Sequence, residues 1–142
     1  ILLISKPPEA IIMLRNIDVN ANIIYECCVK GEPASKANSR RFVQIKGRPY
    51  FIKSKKALDY VKSFEKQVER LDELIECDVA AHITIHYKTR RPDLDESVIL
   101  DCLQGVAYKN DRQVKEKHIY WALDREEPRA TVRLVAIEGD SN

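Results

Sequence analysis

The stretch "RRPDLDE", residues 90–96, sets carboxylates at 93, 95 and 96 beside two arginines. Acids this close repel one another unless they are solvated, protonated or neutralised by a bound cation. The stretch follows a run of β-formers, and in extended chain residues two apart project to the same side. Asp93 and Asp95 can therefore face one point. Hard divalent cations such as Mg²⁺ take a few carboxylate oxygens and otherwise keep their waters. A third acid would complete such a site, and "YKNDRQV" offers Asp111 just before a later strand. Asp101 and Glu96 stand in reserve. The plainer reading is that Asp93 or Asp95 caps the following helix and Asp111 starts a turn. Spacing alone leaves both readings open.

Charge distribution adds a second clue. From Pro33 to Leu58 the chain has eight basic residues and no acidic one, although its net charge is only +2. A one-sign stretch attracts a polyanion, but it also suits a hairpin edge that resists aggregation. Next to a cation it has a sharper use. A metal activates water and offsets charge developing on phosphate, while Lys and Arg hold the backbone. Candidate nucleic-acid contacts are Lys36, Arg40, Arg41, Lys46, Arg48 and Lys53, with Arg90 and Arg91 beside the first acids and Lys109 near Asp111. Arg90, Arg91, Lys109 and Arg112 have an alternative use as simple ion-pair partners of those acids. Tyr and Phe are few and scattered along the chain, with Trp121 in a late strand, so no stacking platform of the kind that binds single-stranded RNA is visible.

A scaffold must position these groups. At 142 residues the chain is expected to form one domain, 1–142, with a core that needs no staples. No apolar run approaches the roughly 20 residues of a membrane span. The opening lacks the basic-apolar-small layout of a signal peptide. Residues 1–20 read as an N-terminal extension, and Met13, the single methionine, is an alternative start. Cys27, Cys28, Cys77 and Cys102 show no zinc-ligand spacing and suit a reducing cytoplasm.

A first strand is predicted over 22–31, ended by Gly31-Glu32-Pro33, and a hairpin over 41–52 turning near Lys46-Gly47-Arg48-Pro49. Ser54 is a plausible N-cap for a helix whose apolar residues recur from Ala57 through Val61, Phe64, Val68 and Leu71 to Ile75. Alternation over 79–88 predicts a strand with Ala81, Ile83, Ile85 and Tyr87 on one face. His82 and His86 share the other face, about 13 Å apart at ~3.3 Å per residue, too far for one metal. They read as structural or surface residues. A short helix over 95–105 carries Val98, Ile99 and Cys102 inward and stops at Gly105. Strands over 113–123 and 129–137 follow, then a frayed tail, 138–142. The order β-ββ-α-β-α-β-β predicts an α/β (α+β) fold, a single mixed sheet with two helices packed on it.

Taken together, "GEPASKANSRR", "RRPDLDE", "LDCLQGVAYKNDRQV" and the closing strand pair resemble the RusA family of Holliday junction resolvases, from about Tyr25 to Val135. That family shows a G-x-P-x-x-K-x-R-like segment, D-L-D-N at a strand end, L-D-A-L-x-G in a helix, and a closing Y-x-D-D-x-Q-V. The resemblance implies a small homodimeric endonuclease, cytoplasmic and of bacterial or phage type, that acts in recombination or repair. It would bind four-way DNA junctions, need Mg²⁺ or Mn²⁺, and make paired nicks in strands of like polarity. Asp93 and Asp95 take the places of the first two family acids, and Asp111 that of the second acid of the D-D pair. Lys36 and Arg41 fall in the early basic segment. Glu96 stands where the family has Asn, and Asn110 replaces the first acid of the pair. The family's helix lysine has no counterpart in "DESVILDCLQG"; Lys36 or Lys109 is the expected stand-in. Two rival readings remain: a junction-binding module with weak or no catalysis, and a nuclease acting on flaps or other branched DNA.

Overall fold

Val79–Tyr87 is a strand buried along its whole length. The computed structural model describes residues 22–35 and 40–137. Its elements are β1 (Ile23–Lys30), β2 (Arg40–Ile45), β3 (Arg48–Lys53), α1 (Lys55–Gln67), β4 (Val79–Tyr87), α2 (Ser97–Leu103), β5 (Val114–Leu123) and β6 (Arg129–Ala136). Four strands form a mixed sheet in the order β1-β6-β4-β5. β4 runs parallel to β5 and antiparallel to β6, which in turn pairs antiparallel with β1. The expected α+β architecture, a mixed sheet with two helices, is the one found. The β2–β3 hairpin, however, is a sheet of its own.

Period-two alternation puts Ala81, Ile83, Ile85 and Tyr87 on one face of β4, where they meet Val132 and Leu134 of β6. Tyr60 and Phe64 of α1 and Val98, Ile99 and Leu103 of α2 close over them. Each such buried side chain contributes roughly 1.5–3 kcal/mol of transfer free energy. Ser54 caps α1, its Oγ accepting from Ala57 N at 3.2 Å. The helix ends at Gln67 rather than continuing through Leu71 and Ile75. Gln67 is tied to the edge of the sheet: its Oε1 accepts from Lys30 N at 2.7 Å, and its Nε2 donates to Lys30 O at 3.1 Å. Beyond it, Leu71 N and Ile75 N donate to Val106 O and Ala107 O at 2.9 and 2.8 Å. Those donors satisfy a tertiary partner, so helical spacing there does not make a helix. α2 is likewise shorter than predicted, and Gly105 follows it at φ +82°, a conformation open to glycine. Leu103 takes the fully buried position, while Cys102 is only partly buried.

Among the described residues no disulfide joins the four cysteines, and no helix is long and apolar enough to cross a membrane. The proposed extension over 1–20, the alternative start at Met13 and the tail at 138–142 lie outside the described residues.

The other sheet face is polar yet buried. His82, Thr84 and His86 of β4 and Arg129 and Arg133 of β6 are all under a tenth exposed, so the histidines are structural. His82 and His118 are register partners on β4 and β5, and their rings stack 4.4 Å apart and nearly parallel. Glu116 lies 3.5 Å from His118 Nε2, and Glu26 pairs with Arg133 at 3.1 Å. Burial, and then the neighbouring His118, lower the His82 pKa, outweighing Glu116. The unfolded chain takes this proton near pH 6.5, and the folded chain only at lower pH. Stability is therefore present above about pH 6.5 and declines as pH falls below it. Urea midpoints are expected to drop between about pH 7.5 and pH 5.5, and less steeply in His82→Phe, which keeps a flat ring on His118. Among the described residues His82 Nδ1 has no hydrogen-bond partner to lose. Equal slopes would remove His82 as the cause.

Candidate active site

The acidic stretch is built around one hydroxyl. Tyr87 ends β4, is 2% exposed, and lies under the loop that follows. Its Oη donates to Asp93 O at 3.0 Å and accepts from Asp95 N at 3.2 Å. Burial raises the pKa of this phenol, so it keeps the proton it donates. Asp95 Oδ1 accepts from Ser97 N at 2.9 Å, which starts α2. Glu96, at the cap position itself, makes no side-chain cap bond. Asp95 is therefore not the N-cap itself; it leads into the helix from one residue earlier by an Asx turn onto Ser97 N, and the same loop presents the carboxylates.

Asp93, Asp95 and Arg91 line a cavity of about 400 Å³. Two further charges reach it from distant parts of the chain: Glu32, just after β1, and Lys56, in the first turn of α1. Glu32 is held in place, its Oε2 accepting from Lys88 N at 2.5 Å. Sequence reading did not select Glu32 or Lys56 for the site. Their only signals were a turn between Gly31 and Pro33 and one lysine among eight basic residues.

Asp111 is placed elsewhere. β5 begins beside Val79, the end of β4 remote from Tyr87, and Asp111 N donates to Gln104 Oε1 at 2.9 Å where α2 ends. Asp111 lines a second cavity of about 250 Å³ with Glu96, Asp101 and Lys117. Lys117 Nζ is 3.4 Å from Glu96 Oε1. The two cavities meet in the chain at Asp95-Glu96. Among the described residues no three His, Cys, Asp or Glu side chains cluster closely enough to hold a metal. Asn110, in the place of a family acid, serves the local backbone instead. Its side chain accepts from Arg112 N at 2.9 Å and caps the 3₁₀ turn Asp111–Gln113.

The predicted cations also divide. Arg91 lines the first cavity, and Arg90 is exposed beside it in the loop. Arg41, Lys46, Arg48 and Lys53 are exposed on the hairpin, where Arg40 begins β2. Lys109 pairs with Glu76 and holds that carboxyl below its usual pKa; it lines neither cavity. Lys36 lies outside the described residues.

Carboxylates at the end of a central strand, flanked by arginine and lysine, are features of phosphodiester-processing enzymes. The family described as endodeoxyribonuclease RusA matches residues 30–135, most of the chain, and the chain belongs to that family. The matched segment includes both cavities and the hairpin. None of the curated proteins matches the chain.

Proposed function

We propose that the protein is a metal-dependent endonuclease that resolves four-way DNA junctions by paired symmetric nicks in recombination or repair. The observation that carries this is the Tyr87-anchored loop, which holds Asp93 and Asp95 in one cavity with Arg91 and Lys56. The donor set suits Mg²⁺ or Mn²⁺: Mg²⁺ is usually held by one or two carboxylates, waters and the substrate's phosphates. Asp93 and Asp95 would hold the ion, with Glu32 as the further carboxylate of the same cavity. Asp111 remains in the proposed set as the third acid, on the cavity that adjoins at Glu96. The bound ion would supply an activated water and offset charge on the phosphate. Arg91 and Lys56 bind the phosphate backbone, and the hairpin cations with Arg90 hold junction arms. A two-fold dimer suits a substrate needing two symmetric cuts, and cysteines without zinc-ligand spacing suit the cytoplasm.

Lys56 also answers the missing helix lysine. It brings a positive charge to the acids from α1 rather than from α2. A labelled four-way junction incubated with Mg²⁺ or Mn²⁺ is expected to give symmetric nicked duplex, and EDTA to abolish it. Lys56→Ala is expected to slow cleavage by about tenfold or more, as for other groups that stabilise transition-state charge. Lys109→Ala, which only loses its pairing with Glu76, should remain within about twofold of the parent. Tight binding without product in either metal would favour the non-catalytic junction-binding module.

A further inference from the structure

The β2–β3 hairpin is unusual in what it leaves open. Its strands pair only with each other among the described residues, and a lone two-stranded hairpin is marginal in water. Yet it exposes Phe42 (55%), Ile45 (51%) and Tyr50 (46%). The register Val43↔Tyr50 and Ile45↔Arg48 puts Val43, Ile45 and Tyr50 on one face together with Arg41 and Arg48. Phe42 lies on the opposite face with Lys53. The turn is tight: Lys46 and Gly47 have φ of 52° and 78°, the two-residue geometry that matches the twist of paired strands. Apolar and aromatic surface is thus interleaved with cations, and the sequence from Pro33 to Leu58 contains no acid.

The hairpin is rooted at the acidic cavity on both sides. Glu32, Pro33 and Ser35 line that cavity before β2, and Lys56 lines it after β3. Each six-residue strand rises roughly 20 Å, the length of about six base steps of duplex at ~3.4 Å each. The matching partner is a polyanion that also offers flat apolar faces within that reach of the cut phosphate. Paired and stacked duplex hides its base faces, whereas a branch point leaves bases that can be unstacked onto an aromatic ring.

We propose that the β2–β3 hairpin is a branch-point probe, in which Tyr50 and Phe42 stack on bases opened at the junction while Arg41 and Arg48 hold the flanking phosphates. This rests on the junction-endonuclease reading and adds how a branch is told from plain duplex. The test uses the full chain in EDTA, with a four-way junction carrying 2-aminopurine at the branch and a duplex carrying it at the same sequence position. Wild-type protein is expected to change fluorescence on the junction and not on the duplex. Tyr50→Ala and Phe42→Ala should each lose the response and weaken junction binding by about tenfold, with duplex affinity within about twofold. Tyr50→Trp should restore both. Circular dichroism is measured alongside, and an unchanged spectrum shows that the loss is one of base contact and not of hairpin structure.

An unchanged fluorescence response in Tyr50→Ala, or equal losses on junction and duplex, overturns the proposal while junction cleavage by wild type leaves the endonuclease reading standing. Failure of wild type to bind the junction removes both. Loss of phosphatidylserine-vesicle binding or of dimerisation in Tyr50→Ala, with junction signals intact, would assign the hairpin to a membrane or a second copy instead.

Discussion

Asp95→Asn is expected to abolish junction cleavage and leave junction binding intact. Asparagine keeps an amide oxygen where Asp95 Oδ1 accepts from Ser97 N, so α2 still starts at the same residue. What disappears is a negative charge in the cavity shared with Asp93, Glu32, Arg91 and Lys56. Removing a group that acts on transition-state charge typically costs on the order of a hundred- to a thousandfold in rate. Binding should stay equal or become slightly tighter, because one carboxylate no longer repels the phosphate backbone. Single-turnover cleavage in Mg²⁺ and gel shifts in EDTA separate the two quantities. Full activity in this variant would sink the proposed function.

Tyr87→Phe carries the second-largest expected effect, and here the structural and catalytic consequences must be separated. The ring is fully buried in the core and stacks near Trp121, with centroids 6.2 Å apart; phenylalanine keeps both relations. Only the hydroxyl is lost, leaving Asp93 O without its donor and Asp95 N without its acceptor. Both bonds are only part-buried, so the loss costs about 1 kcal/mol, the lower end for an unsatisfied partner. That corresponds to roughly 4 °C of melting temperature per kcal/mol in a domain of this size. With both carboxylates still present but their loop untied, cleavage should fall by about tenfold, as small misplacements do. The rate loss should persist well below the melting temperature, with EDTA gel shifts unchanged. A wild-type rate in Tyr87→Phe would show that the hydroxyl does not position the acids.

Much of the architecture could be read from local pattern. The alternation of Val79–Tyr87, the Ser54 cap and the Lys46-Gly47 turn each specify their structure within a few residues. The helix predicted through Ile75 failed because backbone donors at Leu71 and Ile75 pair with Val106 and Ala107, a decision made across the fold and invisible to periodicity. The site divides along the same line. Asp93 and Asp95 share a cavity because two-residue spacing in one loop brings them there. Glu32 and Lys56 come from the ends of other elements, and no local spacing could connect them to the acids. Asp111 was selected as a third acid just before a later strand and matched the family spacing, and the contact to Gln104 puts it on the adjoining cavity. Lys109 was chosen for its nearness in sequence to Asp111; it pairs with Glu76 on the surface and lines neither cavity.

The strand order has a consequence for when this cavity exists. Glu32 follows β1 and the acids follow β4, but those strands do not touch: β6 lies between them. β6 is the last strand of the sheet to leave the ribosome, and its pairing with β1 closes a loop of nearly the whole domain, a slow, long-range step. Until it inserts, Gly31 N lacks its acceptor at Pro128 O, and the chain around Glu32 keeps only the Glu32–Lys88 and Lys30–Gln67 hydrogen bonds to set it against Tyr87 and its loop. A nascent or truncated chain therefore has the acids but not the cavity, so cutting competence arrives only with completion of the sheet.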